Sequence, residues 1–147
     1  MSPMADPYST EVLKLAAEIP HLGRLTKPDA SARKVSRICG SAIDVDLVVE
    51  DGRIADVGLE VNACALGQAA ASVFARDAIG ADLVEVAGAR DALKAMLKTG
   101  GPPPEGRFAG LAALEGARDY PARHGSIMLA FEAAAAALED AAERPRA

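Results

Sequence analysis

The chain has 147 residues, half of them hydrophobic and a quarter charged, and its formal net charge is −5 at pH 7. This composition is typical of a globular protein with a hydrophobic core, and it argues against disorder. Because there is no block of lysine and arginine and no apolar run long enough to span a bilayer, we expect binding neither to nucleic acid nor to a membrane. The prediction is one domain over residues 1–147, with flexible tails at residues 1–7 and 143–147.

The chain contains two cysteines, Cys39 and Cys64. Its first ten residues lack the basic region and apolar core of an export signal, so we expect a cytoplasmic protein whose thiols stay reduced. The cysteines are then small buried hydrophobes, reactive thiols or metal ligands.

The first predicted element is a helix in "YSTEVLKLAAEIPHLG", residues 8–23. Its apolar residues follow a helical period, Ser9 or Thr10 can cap its N-terminus, and Pro20 and Gly23 end it. The next ten residues, "RLTKPDASAR", are polar and contain a proline. They predict an extended connection.

Alternating apolar and polar residues in "IDVDLVV" and "ADVGLEV" predict a hairpin of two antiparallel strands over about residues 42–61. A two-residue loop at Asp51 and Gly52 would set Leu47 opposite Asp56. We therefore predict a three-residue loop over residues 50–52, with Gly52 in the left-handed conformation.

The predicted register brings the apolar faces of the two strands together. The pairs are Ile43 with Leu59, Val45 with Val57, and Leu47 with Ala55. The same register sets Asp46 opposite Asp56 on the polar face. Since like charges opposite each other are unfavourable, we expect that face to be solvated.

After the hairpin the sequence becomes rich in alanine and helical. Helices are predicted over about 67–79, from 83 or 91 to 98, as a short segment in "FAGLAALEGARDYPAR", and from 119 or 121 to about 143. The stretch "TGGPPPEG" predicts a rigid loop. Because strands come first and helices follow, the predicted fold class is α+β, with a small antiparallel sheet packed by an N-terminal helix and several C-terminal helices.

The two cysteines flank the predicted hairpin. Cys39 precedes its first strand, and Cys64 lies between its second strand and the next helix. Because both ends of a hairpin lie at one end of the sheet, we expect the two sulfur atoms to converge. The positive N-terminal end of the helix after Cys64 favours the thiolate, and this arrangement favours a functional site.

Four segments resemble the U-type iron–sulfur cluster scaffolds, the family of SufU, IscU and the N-terminal domain of NifU. In this chain, "YSTEVLKLAAEIPHLG" resembles the family's opening helix, and "CGSAIDVDLVVEDGRIAD" resembles its first cysteine loop and hairpin. The stretch "ACALGQAAAS" resembles the family's second cysteine and the helix after it, and "YPARHGSIMLAFEA" resembles its third cysteine segment. The match runs from Tyr8 to about Glu139, and the extra residues in "GRFAGLAALEGARDYPAR" are more like SufU than IscU. The resemblance implies a scaffold of the same fold, not an enzyme. It also implies a cysteine desulfurase or other assembly proteins as partners, and a monomer or homodimer.

The family's metal ligands are three cysteines and an aspartate, with a histidine or basic residue beside the last cysteine. Carried over to this chain, the first two cysteines are Cys39 and Cys64. The aspartate falls on Ser41 and the third cysteine on Ser126. Because a neutral hydroxyl is a poor ligand of zinc or iron, two of the four family ligands are missing.

Other side chains are candidates to complete the site. His124 is a candidate third metal ligand and His21 a candidate fourth, whereas Asp44 is a weaker candidate. The two serines also have ordinary roles, in a turn and in helix packing. Arg123 corresponds to a basic residue in the family's partner-recognition segment, or it is a solvated arginine.

Three functions stay open. In the first, Cys39 and Cys64 hold iron, a transient [2Fe–2S] cluster or zinc, completed by His124, a small thiol or a second subunit. In the second, the protein is a metal-free degenerate scaffold that docks on a cysteine desulfurase or another assembly protein and modulates it. In the third, Cys64 carries a persulfide, or the thiols cycle through a disulfide. We rank the first highest, because the match extends across the helices and the hairpin.

Overall fold

The computed structural model describes residues 8–38 and 40–143, so Cys39 lies outside the described residues. Within them the elements are, in chain order, α1 (Thr10–Ala17), β1 (Ala30–Ser36), β2 (Ser41–Glu50), β3 (Arg53–Asn62), α2 (Ala65–Asp77), α3 (Leu83–Thr99), a 3₁₀ segment (Gly106–Asp119) and α4 (Pro121–Glu143). The strands form one antiparallel sheet in the order β1-β2-β3. The predicted α+β fold is confirmed. Among the described residues, no helix is both long and apolar enough to cross a membrane.

The helix boundaries follow local signals in the sequence. Ser9 caps α1 by accepting a hydrogen bond from the backbone N–H of Val12 at 3.2 Å. Asp82 and Glu85 form a capping box at the start of α3, and Gly100 ends that helix in the left-handed conformation. Residues 100–105 contain no helix or strand, as their prolines require. The predicted N-terminal tail lies outside the described residues, and Glu143 is the last residue of α4.

The stretch predicted as an extended connection runs into a strand. Residues 30–36 form β1, an edge strand that pairs with β2 along its whole length. Only Ala30 and Ser36 are fully buried in β1. Because β1 contains small and charged residues instead of alternating large apolar ones, its sequence has no clear strand signal.

A bulge in the β2–β3 hairpin overturns the predicted loop and register. The loop is the two residues Asp51 and Gly52, both with positive φ, as in a type I′ turn. The register shifts after Val48, and Ala55 of β3 is left without a partner in β2. The extra residue brings the apolar faces together despite the short loop. The pairs are Ile43 with Val61, Val45 with Leu59, and Leu47 with Val57. The prediction was wrong because the extra residue lies within the strand, not in the loop.

Asp46 is buried, although its face of the hairpin was predicted to be solvated. The bulged register sets it opposite Gly58 instead of Asp56, and its side chain is 1% exposed. Its carboxylate accepts four hydrogen bonds, two from the Arg24 guanidinium at 2.7 and 2.9 Å, one from the Leu25 backbone N–H at 3.0 Å and one from the Ser31 hydroxyl at 2.6 Å. The hydrogen bonds from Arg24 lower the pKa of Asp46 and outweigh the opposite effect of burial. Asp46 thus ties the loop after α1 and strand β1 to the sheet.

Replacing this buried carboxylate, in Asp46→Asn, should lower the free energy of unfolding at neutral pH by about 2–3 kcal/mol, because its hydrogen-bond donors lose a charged acceptor. Because folding lowers the pKa of Asp46, its ionised carboxylate contributes its full stabilisation above the ordinary aspartate pKa of about 3.9. This contribution is lost as the pH falls through the pKa of Asp46 in the folded state. The difference between wild type and variant should therefore shrink in acid. Urea titrations at several pH values measure this difference.

Asp44→Asn is the control, because Asp44 pairs with the exposed Arg33 at the surface, and its effect should stay below about 1 kcal/mol. Equal losses in the two variants would contradict the prediction.

Helix α4 lies at the centre of the hydrophobic core. It packs against β1, β2, α2 and α3, and five of its twelve buried residues are alanines, which let the backbones approach closely. Three aromatic rings link α2, the 3₁₀ segment and α4. They belong to Phe74, Phe108 and Phe131, with ring centroids 5.1 to 6.1 Å apart. This core holds the N-terminal parts of α2 and α4 at the same end of the sheet.

Candidate functional site

Three chain segments meet at that end of the sheet: the start of β2, the N-terminus of α2 and the first turns of α4. The Cys64 thiol donates a hydrogen bond to Ser126 Oγ at 3.5 Å, and the Ser126 hydroxyl donates to Ser41 Oγ at 3.0 Å. Both serines are buried, whereas Cys64 is partly exposed. We call Ser41, Cys64 and Ser126 the thiol–hydroxyl site. It presents one accessible sulfur atom backed by two buried hydroxyl groups.

The hairpin register and a glycine on α2 create this site. Because Ala42 pairs with Asn62, β2 begins and β3 ends at the same level of the sheet, and Cys64 follows two residues later. Gly67 lets α4 come close to α2, since a Cβ there would overlap Ser126 Oγ and lie 3.1 Å from the Ser126 carbonyl oxygen. The expectation that the two flanks of the hairpin share one end of the sheet is confirmed.

The surroundings of Cys64 favour its thiolate. It is the N-cap residue of α2, and its side chain makes no capping hydrogen bond. Burial raises the pKa of the Cys64 thiol, but the Ser126 hydroxyl, the nearby backbone N–H groups of Gly67 and Leu66 and the charge of Arg123 together lower the pKa below its usual value. Cys64 is therefore more ionised at neutral pH than an ordinary cysteine.

The side chain of His124 lies against the end of the 3₁₀ segment. It is buried, and its Nε2 lies 2.9 Å from the carbonyl oxygen of Ala117 and 3.1 Å from that of Arg118. With the proton on Nε2, the ring donates to both carbonyls, because carbonyl oxygens only accept. Nδ1 is buried and has no hydrogen-bond partner. A metal could therefore bind His124 only through Nδ1 unless these hydrogen bonds break.

The remaining predicted ligands have other surroundings. His21 is exposed, and its backbone carbonyl accepts a hydrogen bond from the N–H of Leu59 at 3.0 Å. Asp44 accepts a hydrogen bond from Arg33 at 2.7 Å. Because Cys39 lies outside the described residues, its convergence with Cys64 stays a prediction.

Residues 7–127 match the family model of the NifU-like N-terminal domain. The chain belongs to this family. The iron–sulfur cluster assembly scaffold protein IscU of Thermotoga maritima is 27% identical over 132 residues, which cover 90% of this chain and 92% of that protein. The family is one of cluster assembly scaffolds, so the predicted function of an iron–sulfur cluster assembly scaffold is confirmed at the level of class. The prediction of a scaffold instead of an enzyme agrees with the name of this relative.

Two solved structures agree with this assignment. The N-terminal part of a nitrogen-fixing NifU-like protein from Brucella abortus is 45% identical, with a TM-score of 0.94 over 97% of this chain and 100% of that chain. A scaffold described for the SUF system of Fervidobacterium islandicum has a TM-score of 0.82 over 90% of this chain and 96% of that chain. At 20% identity, this second likeness shows the fold alone.

The resemblance assigns the thiol–hydroxyl site to the positions of the family's ligands. It implies the aspartate position for Ser41 and the third-cysteine position for Ser126, and Ser126 contacts both Ser41 and Cys64. Within residues 8–38 and 40–143, no three histidine, cysteine, aspartate or glutamate side chains lie together as a metal-binding group. One thiol and two neutral hydroxyls do not fit zinc or an iron–sulfur cluster, which take about four sulfur, nitrogen or carboxylate donors. The chain therefore has the fold of the family, and its described site residues offer a ligand chemistry different from the one that the resemblance implies.

The contact between Ser126 and Cys64 was not predicted from the sequence, where the two serines have ordinary roles in a turn and in helix packing. A usable signal was present in the resemblance. Two positions that hold ligands of one metal must face each other in the shared fold. Their replacements should then be tested as partners of the remaining cysteine.

Proposed function

We propose that the protein acts in iron–sulfur cluster assembly as a sulfur acceptor, with Cys64 as the residue that receives the sulfur. The observation that carries this proposal is the thiol–hydroxyl site, in which a partly exposed cysteine with a lowered pKa lies at the N-terminus of α2 beside Ser126. A thiolate at a helix N-terminus is a good nucleophile toward sulfur. The described donors of the site, one thiol and two neutral hydroxyls, favour this function over metal storage.

The proposed donor is a persulfide on a cysteine of a partner protein, which for this family of functions means a cysteine desulfurase. The Cys64 thiolate attacks the terminal sulfur of the donor persulfide. A bond forms between Cys64 Sγ and that sulfur, the sulfur–sulfur bond of the donor breaks, and the donor cysteine leaves as a thiolate. The exchange needs no external oxidant or reductant. Once Cys64 is ionised, the Ser126 hydroxyl can turn its one hydrogen from Ser41 Oγ to Cys64 Sγ and support the attacking thiolate.

A second candidate function is the binding of iron or a transient [2Fe–2S] cluster through Cys39 and Cys64. Membership of a scaffold family favours it. Two thiols per chain leave ligand positions to be filled by Nδ1 of His124, by a small thiol or by a second copy of the chain. The two candidates differ in what the purified protein carries, namely sulfur on one cysteine or iron together with sulfide.

Transfer of sulfur to the isolated protein tests the proposal. The protein is purified without oxygen and incubated with a desulfurase and cysteine, or with polysulfide, and mass spectrometry locates the added sulfur. We expect one added sulfur on Cys64 in the wild type and in Cys39→Ser, the matched single-thiol control. Cys64→Ser should lose it. Persulfide on Cys39 alone would overturn the assignment of the acceptor.

Iron, zinc and acid-labile sulfide are measured in the same samples. Near-stoichiometric iron and sulfide that disappear in the Cys39→Ser/Cys64→Ser variant would support cluster binding instead. A protein that carries neither metal nor persulfide but binds the desulfurase would support the metal-free regulatory scaffold.

A further inference from the structure

A groove with charged walls lies between the edge strand β1 and helix α3. Its floor is a stripe of α4 that contains Glu132 and Glu139. One wall is β1, through Lys34, and the other is α3, through Arg90, Asp91 and Lys94. We call this space the β1–α3 groove. Its volume is about 410 Å³, and small-molecule sites commonly have about 300–1,000 Å³. None of its lining residues belongs to the thiol–hydroxyl site.

Lys34 is a charged residue on the buried face of the sheet. It pairs with the fully buried Ile43 of β2, and its side chain is on the same face of β1 as those of Ala32 and Ser36. This face packs against α4. Because β1 is an edge strand, the lysine side chain can leave the core sideways and line the groove. An apolar side chain would bury more surface at this position, so packing does not account for a lysine.

Glu132 is a partly buried carboxylate without a partner. In the part of the chain that the structure describes, no group forms a hydrogen bond or an ion pair with it, and the same is true of the Lys34 and Lys94 ammonium groups. Burial raises the pKa of Glu132, although the charges of Lys34, Arg90 and Lys94 act in the opposite direction. The three cations thus face Glu132 across the groove and do not contact it. Unpaired charges so close together need an explanation.

We propose that the β1–α3 groove binds a free α-amino acid, with its ammonium group on Glu132 and its carboxylate on Lys34 and Lys94. Such a zwitterion gives an opposite charge to the unpaired carboxylate and to the unpaired ammonium groups at once. A simple anion would be repelled by Glu132, and a simple cation would be repelled by the three basic side chains. Asp91 is exposed and pairs with Arg90 at 3.0 Å, so it does not compete for the ligand.

Nuclear magnetic resonance titrations of the labelled protein test this site. The probes are L-alanine, propionate, which lacks the ammonium group, and L-alaninamide, which lacks the carboxylate. The variants are Glu132→Gln and Lys34→Gln. Lys98→Gln is the matched control, because Lys98 is an exposed lysine of the same helix as Lys94 and does not line the groove. Cys64→Ser separates this site from the proposed sulfur acceptor.

We expect L-alanine to shift the amide signals of the groove with a dissociation constant of about 1 mM or below. Propionate and L-alaninamide should bind at least about tenfold more weakly, and each groove variant should lose at least about tenfold in affinity for L-alanine, because one charge-assisted hydrogen bond is missing in each case. Lys98→Gln and Cys64→Ser should stay within about twofold of the wild type.

Three results would overturn the proposal. One is the absence of shifts at the groove with L-alanine. Another is propionate binding as tight as that of L-alanine, together with tighter binding by Glu132→Gln, since both would show a site for simple anions. The third is an equal loss in Lys34→Gln and Lys98→Gln, which would show an effect of overall charge. Because the groove shares no residue with the thiol–hydroxyl site, failure of Cys64 to accept sulfur would leave this result unchanged.

Discussion

Replacing Ser41 with aspartate and Ser126 with cysteine in one variant should give the protein a stable metal site that the wild type lacks. These substitutions restore the donors that the resemblance assigns to the two positions. Cys64 Sγ already lies 3.5 Å from Ser126 Oγ, and Ser126 Oγ lies 3.0 Å from Ser41 Oγ. The side chains therefore start at separations suited to ligands of one ion. With Cys39 as the expected fourth donor, we expect about one zinc ion per chain after gel filtration.

Zinc content and thermal unfolding with and without a chelator measure this gain. Because zinc binds the folded state, the metal should raise the free energy of unfolding of the variant by about 3–4 kcal/mol when free zinc is 100 to 1,000 times the dissociation constant. The same substitutions in a Cys64→Ser background are the control, and they should bind zinc weakly. A folded variant without zinc would show that the three positions are not oriented as ligands. Stoichiometric zinc in the wild type would contradict the argument from its donors.

Truncating the central aromatic ring, in Phe131→Ala, should lower the free energy of unfolding by about 3–5 kcal/mol. Phe131 is fully buried and makes edge contacts with Phe74, at a centroid distance of 5.5 Å, and with Phe108, at 5.1 Å. The substitution removes both ring contacts and leaves a cavity between α2, the 3₁₀ segment and α4. Since a domain of this size has a total stability of about 5–15 kcal/mol, this loss is a large fraction of it.

Urea unfolding followed by circular dichroism measures the effect. Phe131→Leu is the matched control, because it keeps most of the apolar volume, and its loss should be clearly smaller. Val84→Ala is a second control at a side chain that is 80% exposed, and it should change the stability by less than about 0.5 kcal/mol. A loss below about 1 kcal/mol in Phe131→Ala would contradict the central role of the aromatic cluster.

The stability of the core also affects the thiol–hydroxyl site. The core holds α2 against α4, and this packing sets the contact between Cys64 and Ser126. A weakened core should therefore also loosen the support of the thiolate. Changes in sulfur acceptance should be compared only among variants that remain folded, and far-ultraviolet circular dichroism at the assay temperature establishes that.

Local features of the sequence were sufficient to predict most of the fold. The cap at Ser9, the prolines after α3 and the alternation in "IDVDLVV" act over a few residues, so their structural consequences can be read without knowing the rest of the chain. Strand β1 escaped prediction because its small and charged residues are held in place by pairing with β2. The hairpin register escaped it because an alternation pattern does not reveal where a bulge inserts an extra residue.

The sequence by itself determined the α+β class and the family resemblance, since these depend on residue identity and order. That resemblance also implies that two of the four family ligands are missing. Only the tertiary structure decided what Ser41 and Ser126 do, because the contacts of Ser126 with Ser41 and with Cys64 join residues far apart in the chain. The same is true of Asp46, whose burial depends on the bulged register and on a loop that folds over the sheet. Contacts between distant segments depend on how whole elements pack, and short-range patterns contain no record of that packing.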